Sequence, residues 1–281
     1  HAKMRDRHGD EVHLTLPDGD ITFRFDIAAG ENAILPFGID LNGVKLDWAT
    51  AQPLAHEGNT WFFLAPEGMQ PVYCIDGKEI KATVGKAFAV KNQTIMTISR
   101  QDSLSFWTYN GTAYLCDRPL LWDGNQLKVE IADGSANLCV WSEAQREFVF
   151  IQRVEHPCQP VSLFGQTVGT GRYTVSIPTD ALTGHKQVLL RVRYHGDVGY
   201  AFAGNELISD NFCNGDSWDI RLDCYAEALN QAPLVLYLTP VRKNVTVDAS
   251  AMAGLQEKAD SEAAELLSVE LVIIDDYLIR A

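Results

Sequence analysis

The sequence predicts an all-β protein built from two antiparallel β-sandwich (jelly-roll-like) domains, over residues 1–145 and 146–281. Three observations predict it. Several short runs alternate apolar and polar residues with period two, the pattern of strands with one face in a core and the other in water. Seven Asx-Gly dipeptides punctuate those runs, and such pairs tolerate positive φ at both central positions of a tight hairpin. A helical pattern occurs only at 249–267.

In chain order, Asp18-Gly19 turns into the first run, where Ile21, Phe23, Phe25 and Ile27 alternate with Thr22, Arg24 and Asp26. Asn42-Gly43, Asp76-Gly77, Asn110-Gly111 and Asp123-Gly124 mark the turns that follow. Leu127, Val129 and Ile131 then alternate with Lys128 and Glu130, and Asp133-Gly134 turns the chain again. A domain boundary is expected within 142–161, where the alternation breaks and Pro157 and Pro160 bracket Cys158. Beyond it, Tyr173, Val175 and Ile177 form one strand pattern. Val188, Leu190, Val192 and Tyr194 form another, opposed by Gln187, Arg191 and Arg193. Asn214-Gly215 turns the chain, and further strands are expected near 234–238 and 269–274. Between these lies 249–267, rich in Ala and Glu, with Met252, Leu255, Ala259, Ala263 and Leu266 on one helical face. An irregular acidic excursion is the alternative for that segment.

Composition excludes several classes. The 281 residues allow about two domains, and 46% hydrophobic residues fit a globular core. The formal charge of -14 opposes binding to nucleic acid, which requires a basic face, and to an anionic membrane surface. No run approaches the roughly 20 apolar residues of a spanning helix. The opening His1-Ala2-Lys3-Met4-Arg5 reads as the start of a truncated chain, without a signal segment. The six cysteines (Cys74, Cys116, Cys139, Cys158, Cys213, Cys224) form no CxxC and have no His at ligand spacing. They read as thiols behaving like small hydrophobes. That tilts the expected compartment toward the cytoplasm, with secreted and periplasmic locations and disulfides left open.

Familiar chemistry is mostly missing. No GxSxG elbow occurs. Gly165, Gly169 and Gly171 lead into a strand pattern and not into the helix a phosphate cradle needs. The polar run Asp210–Asp219 offers oxygens to calcium, but Phe212 and Arg221 occupy the third and twelfth positions, where an EF-hand places ligands. A capped hairpin loop is expected there, with no metal on Asp210, Asn214 or Asp216. His156, His185 and His195 have no triad-like or metal-like spacing. No catalytic residue, metal ligand or cofactor is therefore assigned. Of the six tryptophans, Trp48, Trp61 and Trp141 stand among apolar neighbours and are expected in the core. Trp107, before a turn, and Trp218, after the polar loop, are the candidate carbohydrate-contacting rings, with packing as the competing role.

Several segments have a more specific wording. Leu35-Pro36-Phe37 leads through Asn42-Gly43-Val44 to Trp48-Ala49-Thr50-Ala51-Gln52-Pro53-Leu54, then to Phe62-Phe63-Leu64-Ala65-Pro66-Glu67-Gly68. Thr97–Trp107 follows. Then come Tyr194-His195-Gly196-Asp197-Val198-Gly199 and Leu207–Trp218. Together, over about residues 20–240, these resemble the non-catalytic C-terminal β-sandwich and jelly-roll region of bacterial glycoside hydrolase family 35, the β-galactosidase-like enzymes. Trp48 stands where the family usually has Tyr, and Val72 where an acidic residue is usual. The resemblance implies a parent whose two catalytic glutamates lie in an N-terminal (β/α)₈ barrel. That barrel takes about 250 residues of alternating strand and helix, a pattern this chain lacks, so no catalytic residue carries over.

The expected function is an accessory region that packs against the barrel of its parent chain and helps substrate reach it. A stand-alone carbohydrate-binding sandwich is the alternative. The barrel, a galactoside or other glycan, and further copies of the chain are the expected partners.

Overall fold

The computed structural model describes residues 10–16, 19–25, 27–124, 126–240 and 264–279, the first two stretches by backbone alone. The chain is all-β, and its contacts divide it into two units. One comprises His1–Leu120, Ala136–Arg153 and Arg280–Ala281, and the other Leu121–Ser135 and Val154–Ile279.

In the first unit, β1 (Asp10–Leu16) and β2 (Gly19–Phe25) pair as a hairpin, and three four-stranded sheets follow. The first sheet orders β3 (Phe37–Asp40), β4 (Lys45–Ala49), β7 (Val72–Ile75) and β8 (Lys78–Lys81). The second orders β5 (Gln52–Glu57), β6 (Thr60–Leu64), β10 (Gln93–Ile98) and β9 (Phe88–Val90). The third orders β11 (Phe106–Tyr109), β12 (Thr112–Cys116), β15 (Ser135–Ser142) and β16 (Glu147–Glu155). The hairpins β3–β4, β7–β8 and β11–β12 turn on Asn42-Gly43, Asp76-Gly77 and Asn110-Gly111. All six of these residues have positive φ, between 48° and 87°, as the Asx-Gly pairs predicted.

The second sheet is buried on both faces, which explains its sequence. Side chains alternate across a strand, so Phe62 and Phe63 point into different cores. Phe63 packs with Leu46, Tyr73 and Ile95, whereas Phe62 packs with Met96, Ile98 and Trp141. Both phenylalanines are fully buried. The run Trp61-Phe62-Phe63-Leu64 is consequently unbroken by polar residues, and β6 pairs with β10 in parallel.

The second unit is a two-sheet sandwich. One sheet orders β13 (Leu120–Asp123), β14 (Gln126–Ile131), β25 (Glu265–Leu278), β20 (Gln187–His195) and β23 (Trp218–Arg221), with β17 (Val161–Ser162) on β25. The other orders β18 (Gly165–Gly169), β19 (Arg172–Val175), β24 (Leu234–Leu238), β21 (Val198–Ala203) and β22 (Glu206–Phe212). Val188, Leu190, Val192 and Tyr194 of β20 meet Val175, Ala201 and Leu236 of the facing sheet in one core, as the alternation predicted.

The position 145/146 falls in the turn joining β15 to β16, neighbours in one sheet. The chain passes between units after Leu120, Ser135 and Arg153, the last within the expected 142–161 and the first two because β14 finds its partner in β25. Alternation identifies a strand but not its neighbour. Of the expected helix at 249–267, residues to 263 lie outside the described residues, and from Glu265 onward the chain is strand. The described α-helices are α1 (Arg100–Ser103) and α2 (Ala226–Gln231). Ser99 caps α1, its hydroxyl accepting from the Asp102 amide at 3.0 Å. Among the described residues, no helix is long and apolar enough to cross a membrane.

Candidate functional site

The two candidate tryptophans separate. Trp218 opens β23 with its ring inside the second sandwich, 4% exposed, so it is a core residue and not an exposed platform. Its indole N–H donates to Ser209 Oγ at 3.0 Å, and its ring meets Tyr194 edge-on at 5.9 Å. Trp107 is half-buried on edge strand β11, opposite Tyr114, with its N–H donating to the Cys116 carbonyl at 3.1 Å. Of the tryptophans expected in the core, Trp48 and Trp141 are buried and Trp61 is partly so.

The segments that carry the family resemblance are spent on architecture. Thr50 is buried; its hydroxyl donates to the Gln70 carbonyl at 2.7 Å and accepts from the Val72 amide at 2.8 Å, binding the end of β4 to the start of β7. Gln52 Oε1 accepts from the Ile34 amide. In Tyr194–Gly199, a Cβ on Gly199 would stand 2.7 Å from Trp218 Cζ3 and 3.1 Å from Tyr194 Cζ. Glycine is required there because both rings lie over the backbone. The Tyr194 hydroxyl donates to the Asn211 carbonyl at 2.8 Å and accepts from Asn211 Nδ2.

The polar loop after β22 is closed on itself. Asn214 Oδ1 accepts from the Asp216 amide, and Asn214 Nδ2 donates to Asp216 Oδ2, a local Asx arrangement. Asp197 shapes the adjoining turn through its backbone, its carbonyl accepting from the Cys213 amide. Among the described residues no group of three His, Cys, Asp or Glu side chains is placed to hold a metal.

The histidines have structural partners. Buried His156 meets the Tyr277 hydroxyl at 2.7 Å through Nδ1 and the Ile273 carbonyl at 3.1 Å through Nε2. His185 Nδ1 lies 2.8 Å from Asp275 Oδ2. All six cysteines are free thiols. Cys74, Cys116 and Cys213 are buried, Cys139 and Cys158 are half-buried, and Cys224 is exposed, departing from the expected small-hydrophobe role.

Burial also governs the tyrosines. It pushes the Tyr194 phenol up to about 12 and raises Tyr73 in the same direction. In the unfolded chain each ionises at about 10. The folded state therefore binds the proton more tightly, and the resulting stability is complete below about pH 10 and lost as pH rises through the folded value. The urea midpoint of the wild type is expected to fall above about pH 10, and that of Tyr194→Phe to fall less steeply. Coincident profiles would refute the assignment.

A surface that sequence reasoning passed over is the outer face of sheet β18–β22. Cross-strand register aligns Arg172, Tyr237, Tyr200 and Asp210 in one row across β19, β24, β21 and β22. The Tyr200 and Tyr237 rings are near-parallel, with centroids 6.1 Å apart. Arg172 Cζ stands 5.5 Å from the Tyr237 centroid, within cation–π range. The isolated signal was present in Tyr200-Ala201-Phe202 and Val235-Leu236-Tyr237, whose outward positions are apolar or aromatic. Nothing local indicates that these positions share a row. No protein-family model matches this chain, and no curated protein matches it in sequence.

Proposed function

We propose that this chain is a non-catalytic β-sandwich region of a β-galactosidase-like glycoside hydrolase, which packs against a catalytic (β/α)₈ barrel and shapes the path of substrate to it. The ordered set of segments similar to that family carries the reading. Its support in three dimensions is that side chains within those segments serve packing: Thr50 ties β4 to β7, Trp218 bonds Ser209 of β22, Gln52 holds the Ile34 amide and Gly199 admits the Trp218 and Tyr194 rings. Hydrolysis in this family uses two carboxyl groups in a cleft, and the resemblance places both in the barrel. The test joins the coding sequence upstream of His1 with an assay of the purified chain on a nitrophenyl β-galactoside. A barrel upstream and an inert chain are the expected results. Turnover by the chain alone, or an upstream sequence without a barrel pattern, overturns the proposal.

A further inference from the structure

The two outer faces of the second sandwich have opposite chemistry. On the face of β20, Arg191 stands between Asp219 and Glu270 in register and binds the Asp219 carboxylate through two nitrogens. Just before that strand, Lys186 Nζ bridges Glu130 and Asp276. The cations of that face are thus paired within the chain. The outer face of sheet β18–β22 is apolar instead. Val235, Phe202 and Leu207 lie in one register row and Arg172, Tyr237, Tyr200 and Asp210 in the next, with Phe212 beyond Asp210 on β22. Leu207 is 50% exposed and Phe212 68%, and a monomer seldom leaves a contiguous patch of this kind bare.

Tyr237 lies between the Arg172 guanidinium and the near-parallel Tyr200 ring. Its faces are taken up within the chain, so the row presents ring edges and hydroxyls. The ends of the row carry opposite charges. Arg172 has the Tyr237 ring as its partner but no ion pair, and the Asp210 carboxylate makes neither a hydrogen bond nor an ion pair, among the described residues. Three inter-strand steps of about 4.8 Å hold these two charges roughly 14 Å apart, too far to meet each other.

We infer that this face is a twofold interface between two copies of the chain, in which Arg172 of each copy pairs with Asp210 of the other. The order of the row selects that occupant. A twofold axis through the middle of the row and parallel to the strands reverses the row on the facing copy. Arg172 then stands opposite Asp210 of the second copy, Tyr237 opposite Tyr200, and Val235 opposite Phe202. Each charge finds its counterpart and each apolar residue an apolar one, as an isologous contact requires. An axis across the strands would set Arg172 on Arg172, which like-charge repulsion opposes. The favoured axis leaves the strands of the facing sheets aligned, as in ordinary sheet-on-sheet packing. Two chains of net charge -14 repel each other, and a row with one cation and one anion offers them a locally neutral place to meet. Five strands span only about 19 Å, toward the small end of specific interfaces, so the dimer is expected to be reversible.

The inference does not rest on the class of the parent protein, and its test involves neither barrel nor turnover. Sedimentation velocity of the full 281-residue chain, from micromolar to near-millimolar concentration, is expected to show a monomer–dimer equilibrium. Arg172→Asp and Asp210→Arg each turn both cross-axis pairs into like charges, and each is expected to weaken the dimer at least about a hundredfold. An equal mixture of the two variants is expected to dimerise again, because one copy then brings two carboxylates and the other two guanidinium groups. The exchange within one chain, Arg172→Asp/Asp210→Arg, restores the dimer for the same reason. Both positions are exposed, and melting curves establish that the variants are folded. A wild type that stays monomeric throughout overturns the inference. So does a dimer that either reversal leaves unchanged, or a loss that neither mixing nor the exchange repairs.

Discussion

Phe62→Ala is expected to destabilise the first unit by about 3–5 kcal/mol, the cost of deleting a fully enclosed phenylalanine. Phe62 is 0% exposed. Its ring lies 5.1 Å from Phe106, 5.2 Å from Trp141 and 5.9 Å from Phe148. These neighbours belong to strands of another sheet, held by their own backbone ladders, so they cannot collapse into the space left behind. Nearby, the Trp141 indole donates to Thr60 Oγ, which in turn donates to Glu143, fixing Trp141 further in place. Urea unfolding at 25 °C provides the measurement. Phe150→Ala is the control: Phe150 is an aromatic of β16 that is 58% exposed, and its loss is expected to fall within about 0.5 kcal/mol. Equal effects from the two substitutions would refute the two-sided burial of the second sheet.

Trp218→Ala is expected to cost the second unit a comparable amount, again about 3–5 kcal/mol. The indole fills the space between Gly199 and Tyr194, and its removal also leaves Ser209 Oγ without its donor. Trp107→Ala, at a half-buried ring on an edge strand, is expected to cost markedly less. The comparison bears directly on function, since both residues were candidate sugar platforms on sequence grounds. A Trp218→Ala variant with an unchanged urea midpoint would show that the ring is not a core element.

The strands were legible because water imposes a period of two on any half-buried strand. Val188 to Tyr194 illustrates this, with Val188, Leu190 and Val192 each 0% exposed. Asn42-Gly43, Asp76-Gly77 and Asn110-Gly111 were legible as hairpin turns for an equally local reason, the steric demand of positive φ. Trp218 was a candidate for exposure as well as for packing because its polar neighbours in sequence, Asp216, Ser217 and Asp219, lie on a loop and an outer face while its own side chain turns inward. A run of sequence averages the two faces of a strand, and the average concealed the ring.

Other decisions are not local at all. Phe62-Phe63-Leu64 signals complete burial, yet whether one sheet or two cover such a strand depends on residues far along the chain. Tyr200 and Tyr237 illustrate the same limit. They are separated by 37 positions but adjacent across β21 and β24, and the row they form with Arg172 and Asp210 exists only once four strands take their register.

The sequence by itself determined the fold class, the hairpins and the net negative charge, because each follows from short-range sterics, period-two burial or summed charge. The tertiary structure alone decided which strands pair, where the chain passes between its units, that Trp218 is core, and that one outer face of the second sandwich is aromatic. Those outcomes depend on register between distant strands. Register is set by the fit of whole faces to one another, which no single segment contains.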